Sequence, residues 1–177
     1  MKAPAASLGI VIAAIAIGAD GASATEFYIG EPLTRNGLQI APAYLLGVEM
    51  EPMPKHSGMG ADAVHLEADI HALGDETHGF PEDAWIPYLT ISYTIEKVGS
   101  SFKKSGQLLP MIAKDGPHYA NNIEMAGPGE YRLSYSLEPP SKAGFVRHVD
   151  AATGVPEWWK PFSVDWTFTY PSKPKEG

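Results

Sequence analysis

Phe162-Ser163-Val164-Asp165-Trp166-Thr167-Phe168-Thr169-Tyr170 is the stretch that decides the fold class. Its aromatic residues and valine fall on every second position, with serine, threonine and aspartate between them. Side chains alternate sides at each residue only in an extended chain, so the pattern predicts a half-buried β-strand. The same repeat recurs at Tyr131, Leu133, Tyr135 and Leu137, and at Leu89, Ile91, Tyr93 and Ile95. Weaker candidates are 38–50, 64–72, 108–113 and 122–125. No long segment carries a helical 3.6-residue stripe. The segments 51–60, 74–83, 127–129 and 138–144 are rich in glycine and proline, which punctuate strands. About seven to nine short strands predict an all-β fold, an immunoglobulin-like antiparallel β-sandwich.

The chain has 177 residues, enough for one core but not two. Thirteen basic against 21 acidic side chains give a net charge of −8 with no basic block, which suits cations and excludes nucleic acid as a partner. There is no cysteine. Disulfides, thiolate metal sites and cysteine catalysis are therefore excluded. Residues 1–24 read as a cleavable signal peptide: Lys2, an apolar run over 8–17, then Ala22-Ser23-Ala24 as a small-x-small cleavage site. That run is short for a membrane span of roughly 20 residues. Residues 25–177 are then a single exported domain, expected in the periplasm.

Candidate chemistry centres on Val64-His65-Leu66-Glu67-Ala68-Asp69-Ile70-His71-Ala72. As a strand, its odd face is His65, Glu67, Asp69 and His71, and its even face is plain core. Same-side residues on a strand stand roughly 6.5–7 Å apart, so the odd face is one band of nitrogen and oxygen ligands. The bland reading is a solvated face, which would more often carry lysine and threonine. His118, in the loop 115–119, and His148, in 145–150, each read equally as surface or site. Met111, seven residues before His118, reads alone as core. The loop 50–59 holds Met50, Met53, His56 and Met59; thioethers favour Cu(I), yet the methionines read first as packing. His78 reads as a turn residue and Trp158-Trp159 as packing between Pro156 and Pro161. No phosphate loop, nucleophile elbow, zinc-protease helix or glycosidase pair is present, so no catalytic set is read.

Several segments resemble the bacterial periplasmic high-affinity iron-transport protein family, small copper-binding proteins. They are Gly37-Leu38-Gln39-Ile40-Ala41-Pro42, Val48-Glu49-Met50-Glu51-Pro52, the stretch from His65 to Ala72, Trp85-Ile86-Pro87-Tyr88-Leu89-Thr90, Asp115-Gly116-Pro117-His118-Tyr119, and 154–162 with its Trp158-Trp159-Lys160-Pro161-Phe162 core. The resemblance implies a β-sandwich homodimer with copper held by Glu67, Met111, His118 and His148. It adds His65 as an alternative ligand, and offers Asp69, His71 and Asp115 for a second, harder ion. One departure is Leu109 before Pro110, where the family more usually has phenylalanine.

The resemblance also implies that the protein supports high-affinity iron uptake beside an inner-membrane iron permease, with iron as the transported ion. Ferric reduction or ferrous oxidation at the copper would make it an oxidoreductase. The alternative reading is a periplasmic copper carrier or buffer, with the loop 50–59 as its transfer surface. A purely structural adhesion module is the third reading.

Overall fold

The computed structural model describes residues 25–55, 57–58, 60 and 62–173. The expected signal peptide 1–24 lies outside the described residues, as do His56 and Met59 of the methionine-bearing loop. Nine strands are present among the described residues: β1 (Glu26–Tyr28), β2 (Leu33–Arg35), β3 (Leu38–Leu46), β4 (Ala63–Ala72), β5 (Thr90–Lys97), β6 (Lys103–Ala113), β7 (Gly116–Glu124), β8 (Gly129–Glu138) and β9 (Phe162–Tyr170). All pairings are antiparallel, and the described residues contain no α-helix, only a short 3-10 turn at Pro140–Ala143.

The strand order is β1-β3-β4-β7-β6-β5-β8-β9, with β2 also against β3. β6 carries the path from one sheet to the other. Its residues from Lys103 to Leu108 pair with β5, and those from Leu109 to Ala113 pair with β7. Pro110 lies just past this handover, where a missing backbone N–H is tolerated. Asn36 and Gly37, with φ of 54° and 73°, form the two-residue turn between β2 and β3. Both central residues of such a turn need positive φ, which asparagine and glycine accept at least cost.

The core lies between the two sheets. Ile40, Tyr44, Leu66 and Ile70 face Ile91, Ile95, Leu133, Tyr135 and Trp166 within one continuous buried cluster. Several of its aromatic residues have their polar ends paired. Tyr135 donates across the sandwich to the Glu67 carbonyl at 2.9 Å, and Trp166 Nε1 donates to Glu31 O at 2.9 Å. Tyr119 donates to Ile86 O and accepts from Leu89 N. The expected all-β sandwich is therefore what forms.

β1 and β2 were not expected and β3 ends at Leu46 rather than 50, but two other differences from the sequence expectation bear on the site. β6 begins at Lys103 rather than 108, because its first half is an exposed polar strand with little hydrophobic signal. β7 begins at Gly116 rather than 122, so His118 belongs to a strand and not to a loop. Gly116-Pro117 reads as punctuation in sequence, yet it opens the returning arm of a hairpin.

Candidate metal centre

β4 turns Val64, Leu66, Ala68 and Ile70 into the core, which sends His65, Glu67 and Asp69 to the opposite face. That face is covered. His65 is 3% exposed and Glu67 7%. The cover is the proline-stiffened segment after β3, fastened to β7 where Gly58 N donates to Asn122 O at 2.7 Å and Ser57 Oγ donates to Asn121 Oδ1 at 2.8 Å. Between this segment and the β6–β7 hairpin opens a cleft of about 720 Å³, with His65, Glu67 and His118 among its lining residues.

The hairpin explains how His118 and Met111 meet. Ala113 pairs with Gly116 across a turn of only Lys114 and Asp115, so Met111 and His118 stand directly opposite each other. Directly opposed residues bring their Cβ atoms to about 4.5–5.5 Å. On the other side of β7, Ala120 faces Glu67, and His118 lies two residues along, on the diagonal. Ala43 faces Glu67 from β3. Two alanines flanking the glutamate leave space around its carboxylate.

His65, Glu67 and His118 each present a ligand atom within 4.8 Å of the others. His118 Nδ1 is 3.6 Å from Glu67 Oε1, too far for a hydrogen bond. The two imidazole rings meet edge to face, 5.7 Å between centroids. His65 Nδ1 is held by Asn122 Oδ1 at 2.8 Å. His118 Nε2 is buried without a hydrogen-bond partner. A buried nitrogen of this kind carries an uncompensated desolvation cost unless something binds it.

Burial, reinforced by Asp69, Glu26 and Asp115, pushes the Glu67 carboxyl up to about 8. Burial, aided by nearby His118 and opposed by the Asn122 hydrogen bond, holds His65 below its ordinary value. At neutral pH the centre therefore contains a protonated Glu67 and a neutral His65, so the His118–Glu67 approach is no ion pair. A bound cation would reverse the cost of ionising Glu67. Two imidazoles, a carboxylate and a thioether form a donor set that fits copper.

A second group overlaps the first. Glu26, Glu67 and Asp69 also bring ligand atoms within 4.8 Å of one another. Asp115 lines the cleft and acts electrostatically on Glu67. His71 joins neither group; its backbone bridges Trp85 at the far end of β4. His148 is exposed, hydrogen-bonded to Thr153 at 2.8 Å, and within one chain lies outside both groups and the cleft lining. His78 is more than a turn residue: Glu76 binds it at 2.6 Å, and it stacks on Trp158 at 4.4 Å, securing the long segment before β9.

Glu26, Asn121 and Asn122 escape sequence reasoning, and Met50 is read there first as packing. Glu26 lies on a three-residue strand with no periodic signal. Met50 lines the cleft rather than simply packing against the domain. Asn121 and Asn122 are each 8% exposed. Two adjacent amides inside an otherwise apolar strand were the available clue, since buried amides need designated partners.

The sequence profile of a family described as Fe2+ transport protein matches residues 23–172. A UPF0423 protein of Brucella abortus is 43% identical over 160 residues, covering 89% of this chain and 88% of its own. FetP of uropathogenic Escherichia coli strain F11, expressed in the periplasm, is 49% identical with a TM-score of 0.77, over 84% of this chain and 97% of its own. Copper-reconstituted P19 of Campylobacter jejuni is 46% identical with a TM-score of 0.78, over 85% and 99%. Copper-bound variants of P19 alter a glutamate, a methionine and an aspartate. Those three have the same separations in sequence as Glu67, Met111 and Asp115 here.

Proposed function

Because the chain belongs to the Fe2+ transport protein family, we propose that it is a periplasmic copper-binding protein that supports iron uptake. The observation that carries this reading is the convergence of buried His65, Glu67 and His118, with Met111 across the hairpin from His118. These residues would hold copper, whose chemistry when bound is Lewis acidity and one-electron exchange. The imidazoles and carboxylate suit Cu(II), and the thioether extends the site toward Cu(I). Glu67 gives up its proton on binding, so affinity rises with pH toward 8.

Iron is the cargo and the harder ion. Asp69 and Asp115, with Glu67 between them electrostatically, are the oxygen donors available to it; His71 lies too far along β4 to join unless the strand end rearranges. An inner-membrane iron permease is the receiving partner in this reading.

His148 completes the ligand set in a homodimer, supplied by the second copy. Its surroundings support this. Val146 and Val149 beside it are 85% and 74% exposed, and Ile112 next to Met111 is 75% exposed. Apolar side chains left out at both places are suited to burial against each other. Copper carriage remains the second reading, favoured by Met50 in the cleft and Met53 at 43% exposure on its covering segment.

Titration of the metal-free protein with Cu(II) tests the proposal. The wild type binds, His118→Ala loses binding, and His148→Ala weakens both binding and the dimer seen by sedimentation. Met111→Leu weakens Cu(I) more than Cu(II). Wild-type protein that takes up no copper overturns the reading.

A further inference from the structure

Asn122 reaches in two directions at once. Its Oδ1 lies 2.8 Å from His65 Nδ1, and its Nδ2 donates to the Val48 carbonyl at 3.0 Å. A backbone carbonyl can only accept, so the amide nitrogen must face Val48 and the amide oxygen must face His65. An accepting oxygen at 2.8 Å requires a proton on Nδ1. His65 is therefore the Nδ1–H tautomer, and Nε2 is the nitrogen left with a lone pair for a cation. The backbone oxygen of Asn122 also accepts from Gly58 N at 2.7 Å. One residue thus grips both ends of the segment 48–58, and Met50 in the cleft lining lies between those grips.

We infer that Asn122 is a positioning residue of the metal centre: it sets the His65 tautomer and fastens to that imidazole the segment carrying Met50 over the cleft. The inference rests on the metal-binding reading above and names a residue that reading did not use. A ligand histidine needs its second nitrogen engaged so that ring orientation and tautomer are fixed before metal arrives. Asn122 does this from β7, directly opposite His65 in the strand register. Coupling to the covering segment adds a consequence: motion of that segment is transmitted to the ligand.

The tautomer is readable without metal, from the ¹⁵N shifts of the His65 ring in the metal-free protein at pH 7.5. The wild type shows Nδ1–H. Asn122→Ala shows Nε2–H or a mixture, with Cu(II) affinity reduced roughly 10–100-fold. Asn122→Asp still accepts from Nδ1 but cannot donate to Val48; it keeps the tautomer while amide exchange across 48–54 speeds up. A wild-type Nε2–H tautomer, or an Nδ1–H tautomer unchanged in Asn122→Ala, overturns the inference. If Asn122→Ala does not fold, the wild type and Asn122→Asp decide it. Copper binding by the wild type is scored separately, so failure of the metal reading is not confused with failure of the tautomer.

Discussion

Glu67 is buried close to the acidic side chains of Asp69, Glu26 and Asp115, which makes it costly to ionise before metal binds. Its folded-state value near 8 lies above its ordinary 4.5. Between those limits the folded protein holds a proton that the unfolded chain releases, so this group's contribution to stability falls as pH rises from 4.5 through 8. Glu67→Gln keeps the shape and removes the charge. We expect the metal-free variant to melt higher than wild type at pH 8 and nearly equal to it at pH 4.5, with copper still bound but its affinity no longer tied to release of the Glu67 proton. Melting temperatures at the two pH values check this; a variant less stable at pH 8 contradicts it. His65 works in the other direction. Its depressed value means that a stabilising contribution present above 6.5 is lost as pH falls below it. Copper affinity should thus weaken on acidification, as both groups take up protons that compete with the metal.

At the scale of elements, β4 performs two tasks on two faces. Ile70 is 0% exposed on the core side, one residue from Asp69 on the metal side. Ile70→Ala should cost about 2–5 kcal/mol through the cavity it leaves. The urea midpoint reports the loss, and copper bound per folded chain should remain that of wild type. This division was legible in sequence because alternation assigns each side chain a face. β9 was legible for the same reason, and its bounds agree with the pattern to the residue. The hairpin that joins Met111 to His118 was not. Seven residues separate them, the separation of a paired position across a two-residue turn, but Asp115-Gly116-Pro117 looks like a loop without knowledge of pairing. β1 and β2 span three residues each, too few for any period to register. The covering of the His65–Glu67 face is non-local, made by a segment that in sequence is only a proline-rich connection.

At the scale of the whole molecule, the core and the metal centre occupy opposite faces of the same sheet. The proposed ligands sit outside the sandwich, while the apolar cluster inside it involves residues from both sheets. Metal is therefore not what folds this protein, unlike domains whose only core is the metal. Chelated protein should retain its β-sheet circular dichroism and unfold cooperatively. Added copper should then raise the transition by mass action, by about 4 kcal/mol at a free concentration 1,000 times Kd. Loss of the β signal on chelation would contradict this arrangement.

Tyr28 donates its backbone N–H to the carbonyl of Lys173 at 3.2 Å, so the first strand and the residues following the last one lie side by side. The sandwich is, in effect, a nearly closed ring of chain. A linker of a few residues could join Thr25 to Lys173 without disturbing a single strand pairing. New ends could then be opened in the exposed turn 98–101 between β5 and β6, which contributes nothing to the metal cleft. Such a circular permutant would begin with β6, the strand common to both sheets, and would carry its free ends away from the cleft lining. That offers a way to tether the protein to a surface while leaving the site open to solution.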